Sequence, residues 1–335
     1  MTTGCVLIIL AALMNASFAV PMRRMPRWAW ENIWLLWSIF SLILLPWTIA
    51  FLTIPNLLGG YVNTGLPVVT RVVLFGALWG IAQVLFGLSV VEIGMALTFS
   101  IVLGLSSAVG TVIPFLVLHH NLFGTKDGAL IVAGILFITF GMIFFAKAGS
   151  LREQERGKAS VGISKVPFRR GLILAAVSGF CASFMNLGLS FAGSVLRMAS
   201  DHGSKPFWQA NAVWPLLLLG GAVPNLLYCS FLLRRNQTTN RFVERETALY
   251  TVFCFGMAAL WFGSSLLFGV ATFQLGALGA VIGWPMFMAL IVVAASVFGW
   301  LAGEWKALSM RPLKLQCVGI AILTLAIILL SRVRG

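Results

Sequence analysis

The sequence predicts an all-α integral membrane protein that crosses the bilayer ten times. Hydrophobic residues make up 60% of the 335 residues, charged residues make up only 10%, and the mean hydropathy is +0.99. A soluble domain carries roughly 25% charged residues, so most of the outer surface here must face lipid. A membrane helix needs about 20 apolar residues to cross the hydrocarbon. Ten stretches meet that requirement, at residues 4–22, 31–54, 71–91, 94–118, 128–149, 170–195, 207–233, 247–269, 276–302 and 313–332.

The distribution of basic residues predicts how these helices are oriented. The formal net charge is +14. Of the 23 lysines and arginines, 17 lie in or beside the loops that follow the first, third, fifth, seventh and ninth predicted helices. Basic residues near membrane helices are retained on the cytoplasmic side, so we expect these five loops inside and both termini outside. Topology therefore explains the positive charge, and a nucleic-acid partner is not expected.

Internal similarities predict that the chain repeats a unit of five helices. Residues 78–94, LWGIAQVLFGLSVVEIG, match residues 260–276, LWFGSSLLFGVATFQLG, at an offset of 182. Weaker similarities relate the fifth helix to the tenth and the first to the sixth. Because five is odd, the second unit enters the membrane in the opposite sense, as in transporters built from inverted repeats. We expect a first repeat at 1–149, a cytoplasmic linker at 150–169 and a second repeat at 170–335.

The sequence contains no catalytic or metal-binding motif. His119 and His120 are adjacent at a predicted helix end and His202 lies in a loop, which is an incomplete set of metal ligands. All five cysteines fall inside predicted spans, where we expect them to pack as small apolar residues. Enzyme activity, a metal and a cofactor are therefore not expected. The nine carboxylates lie in loops or near helix ends, and because a charge at midspan is costly, we expect a polar, uncharged substrate.

Aromatic rings and neutral polar groups recur near the middle of the predicted helices. Trp79, Gln83 and Phe86 share one face of the third helix, and Trp261 and Ser265 share the matching face of the eighth. Such faces suit a sugar-sized polyol, because rings can cover its C–H surface while amides and hydroxyls bind its rim. The alternative is that the serines bond to their own helix and the amides connect helices. The fourth helix adds hydroxyl groups on Ser100, Ser107 and Thr111. The predicted substrate-binding residues are Asn15, Phe18, Trp79, Gln83, Phe86, Asn186, Ser190, Trp261, Ser265 and Trp284.

Other tryptophans need no substrate to explain them. Six lie near predicted span ends, which is typical of the aromatic belt at a membrane interface. They are Trp28, Trp30, Trp34, Trp208, Trp300 and Trp305. Trp37 lies deeper, and the sequence assigns it to neither group.

Short stretches along the whole chain resemble one transporter family. They are Trp28-Ala29-Trp30-Glu31, Leu45-Pro46-Trp47 with Pro55-Asn56, Phe75-Gly76-Ala77-Leu78-Trp79-Gly80, Asn225-Leu226, and Glu304-Trp305 followed by Arg311-Pro312. Their order and spacing resemble the bacterial L-rhamnose–proton symporters, a branch of the drug/metabolite transporter superfamily. The resemblance implies ten helices as two inverted repeats and a central site for a small neutral sugar, L-rhamnose or a related deoxysugar. It also implies alternating access and proton-driven uptake across the bacterial inner membrane, which would place both termini in the periplasm.

One departure from the family pattern concerns the proton. The ninth helix reads Ala280-Val281-Ile282-Gly283-Trp284, where the family pattern has an acidic residue just before the tryptophan. A proton-coupled carrier usually needs a titratable group inside the membrane. Glu31 and Glu92 are the carboxylates closest to the second to fourth helices, so they are the candidates for coupling or gating, although we expect neither at the central site. A carrier of another solute, such as an exported metabolite, drug or amino acid, is the alternative function. A monomer and a homodimer both remain open.

Overall fold

The computed structural model describes residues 2–155, 168–303, 305 and 309–333, and this part of the chain is all-helical. Ten of its helices are long and apolar enough to cross a membrane, which confirms the predicted number. They are α1 Thr2–Arg24, α2 Trp30–Thr53, α3 Leu66–Ile93, α4 Met95–Leu118, α5 Lys126–Glu155, α6 Phe168–Asp201, α7 Pro206–Arg235, α8 Thr247–Gln274, α9 Gly276–Leu301 and α10 Met310–Leu330. A short helix, Leu57–Thr64, connects α2 to α3.

Several helix ends differ from the sequence prediction. α3 continues to Ile93, and the chain turns into α4 at Gly94, whose φ of +83° favours glycine. The predicted helix ended at 91, so the sequence placed this turn too early. α5 continues to Glu155, so the first residues of the predicted linker 150–169 are helical. Residues 156–167 of that linker lie outside the described part of the chain.

Two spans are interrupted near the middle of the bundle. α6 is divided into Phe168–Ala182, Phe184–Ser190 and Gly193–Asp201. α2 contains a π-helical segment, Ile39–Leu44, just before Pro46. Irregular backbone at membrane depth is tolerated only where it is buried in protein or lines a polar cavity, and π-helical segments are frequent at functional sites. Both interruptions therefore favour a functional site near the centre of the bundle.

The two ends of the bundle differ in charge. The end that holds the loops after α1, α3, α5, α7 and α9 is called here the basic end. There, Trp28 Nε1 donates to the carbonyl oxygen of Arg241 at 2.9 Å, which joins the first and seventh loops. The backbone N–H of Ala96 donates to the Glu153 carboxylate at 3.2 Å, which joins α4 to the end of α5. The other end, which holds the N-terminus and the remaining loops, is called the opposite end.

The helices pack as two groups of three that face each other. α1 packs against α8 and α9, and α6 packs against α3 and α4. α2 and α7 contact each other and complete the ring, because α2 also packs on α8 and α7 also packs on α3. α5 and α10 pack along each other outside this ring. The middle of the bundle, between the two groups, is where side chains from six or more helices can meet.

α3 and α7 cross so closely that only glycine fits at the contact. A Cβ atom on Gly76 would lie 1.7 Å from the carbonyl oxygen of Leu217, and one on Gly220 would lie 2.0 Å from the carbonyl oxygen of Val73. Glycine pairs of this kind let membrane helices approach until their backbones touch. This crossing sets the depth and direction of Trp79, which follows Gly76 by three residues on α3.

Candidate substrate-binding site

Neutral polar and aromatic residues from five helices lie at the same depth in the bundle. Each is within about two residues of the midpoint of its span: Asn15 of α1, Trp79 of α3, Ser107 of α4, Asn186 of α6 and Trp261 of α8. Four of these five are buried and Asn15 is half-buried. Transporters bind their substrates near the bilayer midplane. The predicted residues Asn15, Trp79, Asn186 and Trp261 therefore occur at the depth that a substrate site requires.

Five tryptophans form a continuous column from the basic end to the centre. Trp30 stacks on Trp34 with ring centroids 5.1 Å apart, and Trp34 contacts Trp37 at 4.3 Å. Trp37 contacts Trp261 edge-on at 5.3 Å, and Trp261 stacks on Trp79 at 5.6 Å. This set is called here the tryptophan column. It presents large apolar faces at the midplane, where Trp261 connects α2 to α3.

The predicted face of α8 is buried along its length, but its serine is already bonded. Ser265 Oγ donates to the Trp261 carbonyl oxygen at 3.4 Å, which is the helix-internal bond that the alternative interpretation anticipates. The neighbouring Ser264 Oγ accepts a hydrogen bond from Asn15 Nδ2 at 3.0 Å, which connects α1 to α8. Phe18, one turn after Asn15 on α1, contacts Trp37 at 5.7 Å. α1 therefore contacts α8 through Asn15 and the tryptophan column through Phe18.

Gln83 and Phe86 have different surroundings, although they share a face of α3. Gln83 is half-buried, and its amide makes no hydrogen bond with any described residue. Phe86 is half-buried too, and its ring packs edge-on against Phe99 of α4 at 4.9 Å. Phe86 and Ala82 belong to a small apolar cluster that is separate from the main core. The structure thus brings Phe86 to the α3–α4 contact, while Gln83 keeps a free amide one turn from Trp79.

A second set of polar groups lies where α4, α6 and α9 meet. Asn186 Nδ2 donates to the carbonyl oxygens of Gly110 at 2.8 Å and Ala280 at 3.1 Å, and so connects all three helices. Trp284 Nε1 donates to the Ser106 carbonyl oxygen at 3.0 Å. Four buried oxygen atoms on α4 and α6 near this contact have no hydrogen-bond partner among the described residues. They belong to Ser107, Thr111, Asn186 (Oδ1) and Ser190, which are together called here the polar notch.

α2 contributes polar groups that the sequence did not single out. Trp37 Nε1, Ser38 Oγ and Ser41 Oγ are all buried without a partner, and Ser41 lies in the π-helical segment. Trp34 Nε1 donates to Asn225 Oδ1 of α7 at 3.1 Å. The position of Trp34 near the start of α2 favoured an interfacial role and the sequence left Trp37 unassigned, so only the packing between helices shows that both rings belong to the tryptophan column.

Two cavities lie at the basic end, and none of the predicted substrate-binding residues lines either of them. The larger, about 790 Å³, lies between α1, α8 and α9 and extends from Arg23 and Arg24 to Leu260, the neighbour of Trp261. The smaller, about 230 Å³, lies between α4, α5, α9 and α10 and ends at Leu103, one helical turn before Ser107. Both have Ala295 and Gly299 of α9 in their walls.

The opposite end is closed by direct contacts between helices. Tyr61 Oη donates to the Ala212 carbonyl oxygen at 2.7 Å. Asn211 Nδ2 donates to Thr53 Oγ1 at 3.1 Å, and Ser204 Oγ donates to the Thr53 carbonyl oxygen at 3.2 Å. These bonds join the connection between α2 and α3 to the start of α7. Loops at the basic end are also joined, since Asn32 Nδ2 donates to the Thr238 carbonyl oxygen at 3.0 Å, so direct contacts connect helices at both ends of the bundle.

The two candidate coupling carboxylates both lie near the basic end. Glu31, in the first turn of α2, is only 4% exposed, and its Oε1 accepts hydrogen bonds from Asn236 Nδ2 at 2.9 Å and Thr238 Oγ1 at 2.8 Å. Glu92, in the last turn of α3, lies 3.5 Å from Arg170 Nε. Neither carboxylate is at the midplane. Among the described residues, no group of three or more His, Cys, Asp or Glu is arranged to hold a metal ion.

Comparison with known proteins places the chain in a family. Residues 1–333 match the family profile described as L-rhamnose-proton symport protein (RhaT). A protein of Yersinia pestis (strain Pestoides F), named L-rhamnose-proton symporter, is 26% identical over 330 residues, which cover 96% of this chain and 95% of the relative. A protein of Shigella dysenteriae serotype 1 (strain Sd197) with the same name is 26% identical over 332 residues, which cover 97% and 96%. The chain therefore belongs to the L-rhamnose-proton symport protein family, a family of transporters and not of enzymes.

Proposed function

We propose that this protein carries L-rhamnose across the bacterial inner membrane together with protons, by alternating access. The observation that carries the proposal is the match to the symporter family over residues 1–333, which includes all ten spans. Both relatives named above are called L-rhamnose-proton symporters, and each is covered almost completely. No feature of the described residues favours a different solute.

The chemistry of the midplane fits a neutral deoxysugar. L-Rhamnose has a methyl group and C–H faces that can pack on Trp79 and Trp261, and it has hydroxyl groups that can bond to neutral polar side chains. Asn186 Oδ1 is buried without a partner within the described part of the chain, and the half-buried Gln83 lies one turn from Trp79. Among the described carboxylates, all lie near a helix end or in a loop, so none supplies an ion pair for a charged substrate.

The orientation that follows from charge gives the cavities a direction. Basic loops are retained in the cytoplasm, so the basic end faces the cytoplasm and both termini face the periplasm. In that orientation the cavities beside Leu260 and Leu103 open to the cytoplasm. The bond from Tyr61 to Ala212 closes the periplasmic side.

An inverted repeat of two five-helix units accounts for the arrangement of contacts. α1 packs on α8 and α9 as α6 packs on α3 and α4, which is the pattern expected if units 1–149 and 170–335 exchange partners. Gly94 and Gly276 are separated by the offset of 182 found in the sequence. Both precede the matching helices α4 and α9, and both have positive φ, +83° and +79°. Such repeats allow one central site to face either side in turn.

Glu31 is the better candidate for the proton-binding group. The two side chains that donate to it, Asn236 and Thr238, are neutral, so its protonation would leave no bonded cation without a partner. Arg241, in the same loop as Thr238, donates to the carbonyl oxygen of Arg27. Glu31 also begins the helix that carries Trp34 and Trp37 into the tryptophan column, which provides a physical connection to the substrate.

Glu92 fits a structural role better. It lies next to Arg170, so its protonation would break an ion pair between α3 and α6. The ends of these helices are also in close contact, because a Cβ atom on Gly171 would lie 2.4 Å from Ile93. Protonation of Glu92 would therefore cost an interaction that holds the helices together.

Uptake of labelled L-rhamnose into proteoliposomes tests the assigned substrate. We expect saturable uptake that excess unlabelled L-rhamnose abolishes, and none into protein-free liposomes. Related deoxysugars should compete more strongly than a charged amino acid or a cationic drug. Competition by cationic or hydrophobic compounds, with no effect of any sugar, would contradict the proposal and indicate a carrier of another solute.

A further inference from the structure

The hydroxyl groups of the polar notch make no hydrogen bond with the part of the chain that the structure describes. Serines and threonines in membrane helices normally donate to a carbonyl oxygen one turn earlier. In this protein Ser100 donates to Ala96 at 2.9 Å and Thr139 donates to Ile135 at 2.9 Å. Ser107 follows Ser100 on the same helix, yet neither Ser107 nor Thr111 makes such a bond, although both are fully buried.

The geometry of Asn186 places an acceptor beside these hydroxyl groups. Both amide hydrogens of Asn186 are used, by Gly110 and Ala280, so the side chain is fixed in orientation. Its Oδ1 is buried and accepts no bond. Ser107 and Thr111 lie within one turn of Gly110 on α4, and Ser190 lies one turn after Asn186 on α6.

Buried polar atoms without hydrogen-bond partners lower the stability of the folded protein unless a ligand bonds to them. Each buried polar atom without a partner costs about 1–3 kcal/mol, and the notch has four. The break in α6 at Ser183, between Ala182 and Phe184, lies three residues before Asn186, about one helical turn away. A molecule with several adjacent hydroxyl groups satisfies such a set, because each hydroxyl can donate to Asn186 Oδ1 and accept from a serine or threonine.

We propose that Ser107, Thr111, Asn186 and Ser190 form the hydroxyl-binding subsite of the transported sugar. This inference rests on the proposed function, and it assigns a specific role to two residues of α4 that the family match does not identify. The tryptophan column binds the apolar face of the sugar, while the notch binds its hydroxyl edge. Phe268, which contacts Trp284 at 5.7 Å and follows Trp261 by two turns on α8, connects the two regions.

Binding measurements on purified wild-type protein and two nearly isosteric variants, Ser107→Ala and Thr111→Val, test this assignment. Loss of one hydrogen bond to the sugar should raise the Kd for L-rhamnose about fivefold in each variant. Ser100→Ala and Thr139→Val are matched controls, because their hydroxyl groups bond to their own helices, and their Kd should be unchanged. Thr111→Ser keeps the hydroxyl and should restore most of the affinity, which separates binding from folding.

Monodeoxy analogues of L-rhamnose determine which sugar hydroxyl each side chain binds. If Ser107 binds one sugar hydroxyl, the analogue that lacks this hydroxyl should bind Ser107→Ala and wild type equally well. Unchanged Kd values in Ser107→Ala and Thr111→Val, with wild type binding L-rhamnose, would overturn the subsite alone and mean that the notch holds water only. Absence of L-rhamnose binding to wild type would overturn the proposed function, and the subsite with it.

Discussion

At the scale of single residues, Trp261 holds the candidate site together. Its ring contacts Trp37 of α2 and Trp79 of α3, so it joins two helices that belong to different sides of the bundle. Trp79 in turn rests on α7, since a Cβ atom on Gly221 would lie 2.6 Å from its ring. The part of the tryptophan column at the midplane thus depends on Trp261 more than on any other side chain.

Replacing Trp261 is therefore expected to weaken substrate binding. Trp261→Ala removes the stacked face and should raise the Kd for L-rhamnose about tenfold or more, whereas Trp261→Phe keeps an aromatic face and should have a smaller effect. Equilibrium binding of labelled sugar to purified protein measures both. Trp208→Ala is the matched control, because Trp208 contacts Phe207 near the opposite end. Equal affinities for wild type and Trp261→Ala would contradict the placement of the site.

Replacing Glu31 is expected to separate transport from coupling. Glu31→Gln retains a side chain of the same shape that can still bond to Asn236 or Thr238, but it cannot bind and release a proton. We expect exchange of L-rhamnose across proteoliposomes to continue, while accumulation driven by a proton gradient is lost. Glu246→Gln is the control, because Glu246 forms an exposed ion pair with Arg27 in the same loop region. Gradient-driven accumulation by Glu31→Gln would exclude Glu31 as the coupling group.

Some site residues can be predicted from the sequence and others cannot. Trp79 and Trp261 are recognisable because they recur at the same position in two similar segments and lie near the midpoints of their spans. Trp37 is not, since its depth in the sequence fits neither the interface nor the midplane, and only its packing against Trp34 and Trp261 assigns it to the column. Ser265 fits the pattern but bonds to its own helix. Hydrogen-bond partners depend on neighbouring helices, which a single sequence does not specify.

At the scale of helices, the α3–α7 crossing is the contact most sensitive to substitution. Gly220→Ala would place a methyl group 2.0 Å from the Val73 carbonyl oxygen, so the two backbones would have to separate. Overpacking of this kind costs about 1–3 kcal/mol, and the displaced α3 would carry Trp79 with it. We therefore expect a lower Tm in detergent and reduced affinity for L-rhamnose.

Gly256→Ala is the matched control for this substitution. Gly256 lies on α8, and a Cβ atom there would have no heavy atom within 4 Å, so the added methyl group enters open space. A thermal unfolding assay in detergent compares the two variants directly. Similar Tm values for Gly220→Ala and Gly256→Ala would contradict the close crossing.

The number and order of helices follow from hydropathy, but their interruptions do not. Each span contains enough apolar residues to be recognised, and the turn at Gly94 differs from prediction only in its position. The π-helical segment Ile39–Leu44 and the break at Ser183 leave little trace in hydropathy, because they change hydrogen-bond register without changing composition.

At the scale of the whole molecule, the difference in charge between the two ends predicts the orientation in the membrane. We expect an impermeant maleimide added to intact cells to label Asn121→Cys, which lies in an exposed loop at the opposite end. Gln237→Cys, exposed at the basic end, should be labelled only after the cells are permeabilised. A background without the five native cysteines keeps the assay specific. The reverse pattern of labelling would contradict periplasmic termini.

The central claim is that L-rhamnose movement is coupled to proton movement, and gradient-driven accumulation measures it most directly. Purified protein is reconstituted into liposomes, and labelled L-rhamnose is supplied with and without an inward proton gradient. The account predicts accumulation above the external concentration when the gradient is imposed, and collapse of that accumulation when a protonophore is added. Equilibration of L-rhamnose to the external concentration in both conditions would contradict coupling and identify a facilitator.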